Sequence, residues 1–274
     1  MKTSIGARSM QYLFAYLFAL VALYPIFLMI SSSFKSNAEI FSNPLGLPKS
    51  LSLAPYQKLW EAVPFSQFMI NSLIVSSVSV LLILVSSSLA AFYLARFSFR
   101  WNGLLYFFFL LGLMIPIKLG IVPLFILMKD LGLVNSLWSL ILIYTASGIP
   151  ISVFILTGFF RTLPVELEEA ARIDGCNHVQ VFYKILIPLI RPALGTVMII
   201  NFIQAWNDFF FPLIFVQDDM KKTIPVGMLG MFGEYEADWS MLFSGLTLSA
   251  LPMIIVFLLA SKQFMEGLTA GAVK

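Results

Sequence analysis

Apolar positions along this chain gather into blocks far longer than the interior of a soluble domain needs. A helix crossing a hydrocarbon core takes about 20 consecutive apolar residues. Six blocks meet that length: 12–31, 68–95, 104–128, 137–160, 192–216 and 241–261. Polar positions fall between them, with the longest polar segments at 32–67, 161–191 and 217–240. The pattern predicts an all-α, polytopic membrane protein with six transmembrane helices. Lys2 and Arg8 precede the first block, as they would in a signal peptide, but the block outruns a usual h-region and no clear small-residue cleavage site follows. It is expected to stay as the first span.

Composition agrees. Hydrophobic residues make up 59% of the 274 and charged residues 11%, with mean hydropathy +0.92. A soluble domain carries about 25% charged residues. The net charge of +3 comes without a basic run, so nucleic acid is not an expected partner. A single cysteine, Cys176, and a single histidine, His178, exclude an internal disulfide and any multi-cysteine or multi-histidine metal site. No cofactor is expected.

Charge sets the orientation. With both termini inside, the inner segments hold Arg8, Arg96, Arg100, Arg161, Arg172 and Arg191, which are all the arginines, together with Lys2, Lys184, Lys262 and Lys274. That distribution satisfies the positive-inside rule. The outer segment after the fifth block is acidic, with Asp218, Asp219, Glu234, Glu236 and Asp238. The segment 161–191 therefore faces the cytoplasm.

Some spans are more than anchors. The third carries Pro116, Lys118, Gly120 and Pro123, which predict a broken helix. Such breaks are tolerated at membrane depth where neighbours or cavity water satisfy the backbone. Ser76, Ser77, Ser79, Ser86, Ser87 and Ser88 in the second span either allow close helix packing or wet a channel. In the fifth span Asn201, Gln204, Asn207 and Asp208 form a polar stripe on one helical face. Intramembrane amides and acids normally face a bundle interior or water. This stripe either lines a solute path, with Lys118 as a further candidate, or pins helices together. The helix is expected to break at Pro212.

The cytoplasmic segment reads as helix, glycine turn, helix. Pro164 suits a first helical turn, and Glu166, Glu168 and Glu169 sit where the helix dipole favours anions. Leu167, Ala170, Ala171 and Asp174 recur at i, i+3, i+4, i+7 and share one face, which the alanines keep low. Gly175 falls where a left-handed residue would end the helix. Asn177 and Gln180 are spaced as a capping box for the second helix. Val181, Phe182, Ile185 and Leu186 give that helix its apolar stripe, and Pro188 ends or redirects it.

Glu169-Ala170-Ala171, three residues, Gly175, nine residues, then Ile185-Leu186-Ile187-Pro188 resembles the "EAA" loop of permease subunits of bacterial ABC importers. Ile187 stands where the family usually has leucine. Gln204-Ala205-Trp206-Asn207-Asp208 with Pro212 resembles the fifth span of carbohydrate-importer permeases, and Gly267-Leu268-Thr269-Ala270-Gly271-Ala272-Val273-Lys274 resembles their ending. The likeness runs over most of the chain and is nearest to the maltose-type second permease subunit. It implies the type I importer permease fold in a bacterial cell membrane. Residues 1–66 would form an N-terminal tail, first span and outer loop. Residues 67–262 would form a five-helix core that includes the coupling loop 161–191, and residues 263–274 a cytoplasmic tail able to reach the ATPase.

The resemblance also implies partners: a homologous second permease, an ATPase dimer and an extracytoplasmic solute-binding protein, with a sugar as substrate. In the coupling loop Glu169 would be the ionic contact, Gly175 the turn, and Ala170 and Ala171 the close-packed face, with Asp174 and Pro188 completing the site. ATP hydrolysis would lie on a separate subunit, since no Gly-x4-Gly-Lys-Ser/Thr phosphate cradle occurs in this chain. A permease for another polar solute, such as a polyol or glycerol phosphate, is the alternative. An autonomous secondary transporter would need internal repeats that are not evident. An intramembrane serine–histidine enzyme would need its histidine inside the membrane, whereas His178 is in the cytoplasmic loop.

Overall fold

The computed structural model describes residues 5–231 and 238–272, with side chains over 10–231 and 238–262. Glu234 and Glu236 of the acidic outer segment, Lys2, Lys274 and the side chains of Arg8 and of the 263–274 ending lie outside the described residues. Every regular element among those described is helical. They are α1 (Ile5–Ser32), α2 (Asn37–Ser42), α3 (Ala54–Ala62), α4 (Phe65–Arg96), α5 (Asn102–Met114), α6 (Ile121–Asp130), α7 (Leu137–Thr162), α8 (Glu166–Ile173), α9 (His178–Gln180), α10 (Ile187–Leu189), α11 (Arg191–Asn207), α12 (Phe210–Phe215), α13 (Ile224–Leu229) and α14 (Trp239–Ala272). The backbone at the start of the 263–274 segment thus continues the helix of the last span.

Four single helices are long and apolar enough to cross a membrane: Met10–Ser32, Phe65–Arg96, Leu137–Thr162 and Trp239–Lys262. The other candidates are bent pairs, Asn102–Met114 with Ile117–Asp130 at 82° and His178–Leu189 with Arg191–Asn207 at 75°. The crossings number four, or up to six if each bent pair is one span. The block 104–128 is thus two helices joined by a 3-10 turn, Ile117–Gly120. Pro116, which has no N–H to donate, holds an extended conformation at that joint (φ −68°, ψ 106°).

The block 192–216 is also divided, but not at Pro212 as expected. Asp208 takes an extended conformation (φ −71°, ψ 129°) and ends α11. Pro212 then falls in the first turn of α12, where a missing N–H costs nothing.

The chain forms two compact units, residues 1–66 with 227–251 and residues 67–226 with 252–274. In the first, Lys35 is fully buried and donates to the carbonyls of Asn43 (2.9 Å) and Gly46 (2.6 Å), tying down the turn after α2. Ser33 bonds the Tyr56 hydroxyl at 2.7 Å, and the Ser244 hydroxyl donates to the Ser33 carbonyl.

The second unit has an apolar cluster toward each end. One, near the starts of α4 and α7, gathers Val75, Met128, Leu140, Tyr144, Phe211 and Phe215. The other, near their ends, gathers Phe92, Leu156, Phe160, Val181, Leu186 and Val197. The serines of α4 mostly serve packing. Ser76, Ser79, Ser87 and Ser88 are buried, and Ser79 donates across to the Ile141 carbonyl at 3.3 Å. Ser86, Ser87 and Ser88 donate back to carbonyls of their own helix, and Ser77 is exposed.

Candidate functional site

Two polar constellations stand out in the second unit. The first is the segment between α7 and α11. Helix α8 carries its three glutamates in the first turn. It ends at Gly175, whose φ of 86° lies in the left-handed region open to glycine. Gly175 N–H donates to the Arg172 carbonyl at 3.0 Å and Cys176 N–H to the Ala171 carbonyl at 3.0 Å. This pair of bonds is the Schellman arrangement, which satisfies carbonyls left open at a helix end. The expected capping box is present: Gln180 N–H donates to Asn177 Oδ1 and Asn177 N–H to Gln180 Oε1, both at 2.9 Å.

The second helix departs from a plain α-helix. After α9 it widens into a π-helical turn, Val181–Leu186, before α10. Pro188 sits inside α10, and the 75° bend follows it at Ile190. The direction change is therefore close to Pro188 but not on it.

The shared face read from the sequence divides in the structure. Glu169, Ala170, Asp174 and Gly175 are exposed. Ala171 is buried in the apolar cluster of Phe92, Phe160, Val181 and Leu186. Its small side chain seats α8 on the chain's own bundle, so it is not part of the open surface. Successive residues point about 100° apart around a helix, so Ala170 can stay open while the Ala171 methyl turns under α8. Arg96 at the end of α4 makes a second attachment. Its guanidinium pairs with Glu168 and donates to the Leu163 carbonyl at 2.9 Å. The sequence reading missed this pair. The available signal was two opposite charges at the same membrane face, which does not single out one partner.

The second constellation lies at the two helix breaks. Lys118, in the 3-10 turn, stands 3.6 Å from Asp208 Oδ1, at the end of α11. Asp208 Oδ2 accepts from the Tyr144 hydroxyl of α7 at 2.9 Å and from Phe211 N–H at 3.0 Å. The Lys118 ammonium also lies 5.2 Å from the Phe210 ring centre. Lys118 and Asp208 were thus both candidates, and the structure brings them together.

The rest of the stripe separates. Asn201 is buried, donating to Ser152 Oγ (3.0 Å) and to the Val197 carbonyl (2.8 Å), which pins α11 to α7. Gln204 is exposed and lines a cleft of about 520 Å³ with Gly112, Ile117, Ser147, Pro150 and Ile200. Asn207 is exposed and donates to the Ile203 carbonyl at 3.0 Å.

Residues 83–268 match the profile of the binding-protein-dependent transport system inner membrane component family. The chain belongs to that family. It is a permease component of an ABC importer, and the match encloses both constellations. A probable ABC transporter permease of Bacillus subtilis, YurM, is 37% identical over all of this chain and 90% of its own. The melibiose/raffinose/stachyose import permease MelC of the same organism is 35% identical over 91% of each chain. Among solved structures, a bacterial ABC transporter involved in alginate import superposes with a TM-score of 0.83 at 23% identity, over 96% of this chain and 99% of that one. That likeness carries the permease fold.

Proposed function

We propose that this permease forms half of a translocation path for a sugar or oligosaccharide, with a second, homologous permease as the other half. Its ATP hydrolysis is supplied by a separate ATPase dimer that engages the 161–191 segment, and its solute is delivered by an extracytoplasmic binding protein. Both termini are cytoplasmic on this reading. The observation that carries the coupling role is the open surface of α8. Glu169, Ala170 and Asp174 are exposed beside the left-handed Gly175, on a knob whose other face is held by Ala171 and by the Arg96–Glu168 pair. A knob attached at two points passes a push to α7 and α11 instead of absorbing it. The sugar assignment rests on relatives such as MelC.

Glu169→Lys tests the coupling role. The variant permease should reach the membrane at the normal level yet lose ATPase co-purification and uptake across a panel of neutral oligosaccharides. Normal uptake with an intact complex would overturn the coupling assignment. A wild-type complex that takes up none of the panel would overturn the sugar assignment alone.

A further inference from the structure

The Lys118–Asp208 pair has open hydrogen-bonding capacity in a place where bare polar groups are costly. At 3.6 Å the ammonium and Oδ1 are an ion pair without a close hydrogen bond. Both bonds that Asp208 accepts go to Oδ2, leaving Oδ1 with lone pairs to spare. The Lys118 side chain is 57% exposed, and that of Asp208 12%.

Depth can be read along three elements. Asp208 follows the 17 residues of α11, and Lys118 follows the 13 of α5. Tyr144 lies two turns into α7, which on the charge-derived topology starts at the outer side. At 1.5 Å per residue all three reach the outer half of a hydrocarbon core about 30 Å thick. Lipid would not tolerate an exposed charge at that depth, so on the sugar-permease reading Lys118 faces the path formed with the second permease. A cleft opens beside the pair without being lined by it: its wall includes Ile117, next to Lys118, and Gln204, one turn before Asp208.

We infer that Lys118, Asp208 and the Phe210 ring form a solute subsite that takes a neutral polyhydroxy ring and rejects an anionic one; this rests on the sugar-permease reading. A hydroxyl of the ring donates to Oδ1 while its neighbour accepts from the ammonium, so adjacent hydroxyls bridge the ion pair. Phe210 offers an apolar face beside them. The pair's charges sum to zero, so it exerts no net pull on an anion, and the carboxylate repels one at contact range. Asp208 also holds the two breaks in register, through Lys118 on one side and Tyr144 and Phe211 N–H on the other.

The test uses the assembled permease–ATPase complex in nanodiscs without its binding protein, so that the permease's own preference is read. Saturation-transfer NMR would compare raffinose, a neutral trisaccharide, with trigalacturonate, an acidic one. The wild type is expected to give a signal from raffinose and none from trigalacturonate. Lys118→Gln should weaken raffinose binding by roughly tenfold or more, the effect of losing one hydrogen bond to a charged group. Asp208→Asn keeps an oxygen for Tyr144 and Phe211 while unmasking the ammonium, so it should gain a trigalacturonate signal.

Equal signals from both sugars in the wild type, no signal from either, or raffinose binding unchanged in Lys118→Gln would each overturn the subsite. Should Asp208→Asn fail to assemble, Lys118→Gln at its exposed position carries the decision. Failure of the wild-type complex to assemble would strike the proposed function instead.

Discussion

The knob between α7 and α11 and the polar cluster at the helix breaks are built on opposite plans. In the knob, the decisive contacts are local: the Gly175 turn, the bonds from Cys176 to Ala171, and the Asn177–Gln180 box all close within a few residues. In the cluster, the partners are far apart in sequence: Lys118, Tyr144 and Asp208 come from three different helical regions. The knob has a fixed shape, and short-range bonds secure shape. The cluster needs polar groups at one depth in an apolar bundle, and only long-range packing delivers that.

The largest effect that would break this contrast is expected at Gly175. A Cβ there would meet nothing within 4 Å, so the cost of substitution is purely conformational. Gly175→Ala should lose about 1 kcal/mol of local stability and retain part of the transport. Gly175→Val, with a β-branched residue resisting positive φ, should reduce uptake to background while membrane insertion stays normal. Wild-type uptake by the valine variant would show that the knob's shape does not matter.

A second effect separates the members of the polar stripe. Asn201→Ala removes a buried amide shared with Ser152 and should destabilise the complex by about 1–3 kcal/mol, read as lost yield and a lower melting temperature. Gly148→Ala should act at the same point, because its new methyl would fall 2.3 Å from Asn201 Oδ1 and 2.4 Å from Ile83 Cδ1. Gln204→Ala, on an exposed side chain, should leave yield unchanged. Equal losses in all three would erase the distinction between pinning and cleft-lining positions.

A smaller effect sharpens the knob's attachment. Glu168→Gln leaves the Arg96 guanidinium, 8% exposed, without its carboxylate. The loss should be about 1–2 kcal/mol, between the values for exposed and fully buried pairs. Hydrogen exchange along α8 should rise while exchange around Tyr144 does not.

The smallest effect lies in the other unit. Burial raises the Asp238 carboxyl, but its bonds from Lys58, Ser240 and Met241 N–H outweigh this and hold its pKa down at about 2. A carboxylate held below its usual 3.8 contributes stability above that value and loses it as pH falls toward 2. Lys58 is 61% exposed, so screening keeps the contribution under about 1 kcal/mol. Asp238→Asn should lower the melting temperature slightly at pH 7 and not at pH 2.

The helical class, the candidate spans and the helix–glycine turn–helix of the 161–191 segment were legible because each depends on local pattern. A long apolar block can satisfy its backbone in lipid only as a helix. Gly175, Asn177 and Gln180 are residues whose preferred conformations dictate a turn and a cap whatever surrounds them. The break in the fifth block was misplaced for a related reason. Pro212 looks like a breaker in isolation, yet proline in a first helical turn breaks nothing, and the residue that ends α11 is Asp208.

Other features were settled by packing alone. Periodicity placed Ala170 and Ala171 on one face, but the bundle beneath decided that Ala171 is buried and Ala170 open. Asn201, Gln204, Asn207 and Asp208 form one stripe by spacing, yet the structure gives them separate tasks: a pin to Ser152, a cleft wall, an exposed amide, and a junction of two breaks. The sequence by itself determined which groups are polar within an apolar stretch, because hydrophobicity and helical period are properties of neighbouring residues. Which partner each polar group meets was left to the tertiary structure, because an ion pair between Lys118 and Asp208 depends on two bends, of 82° in one element and at a single extended residue in the other, that no local pattern orients.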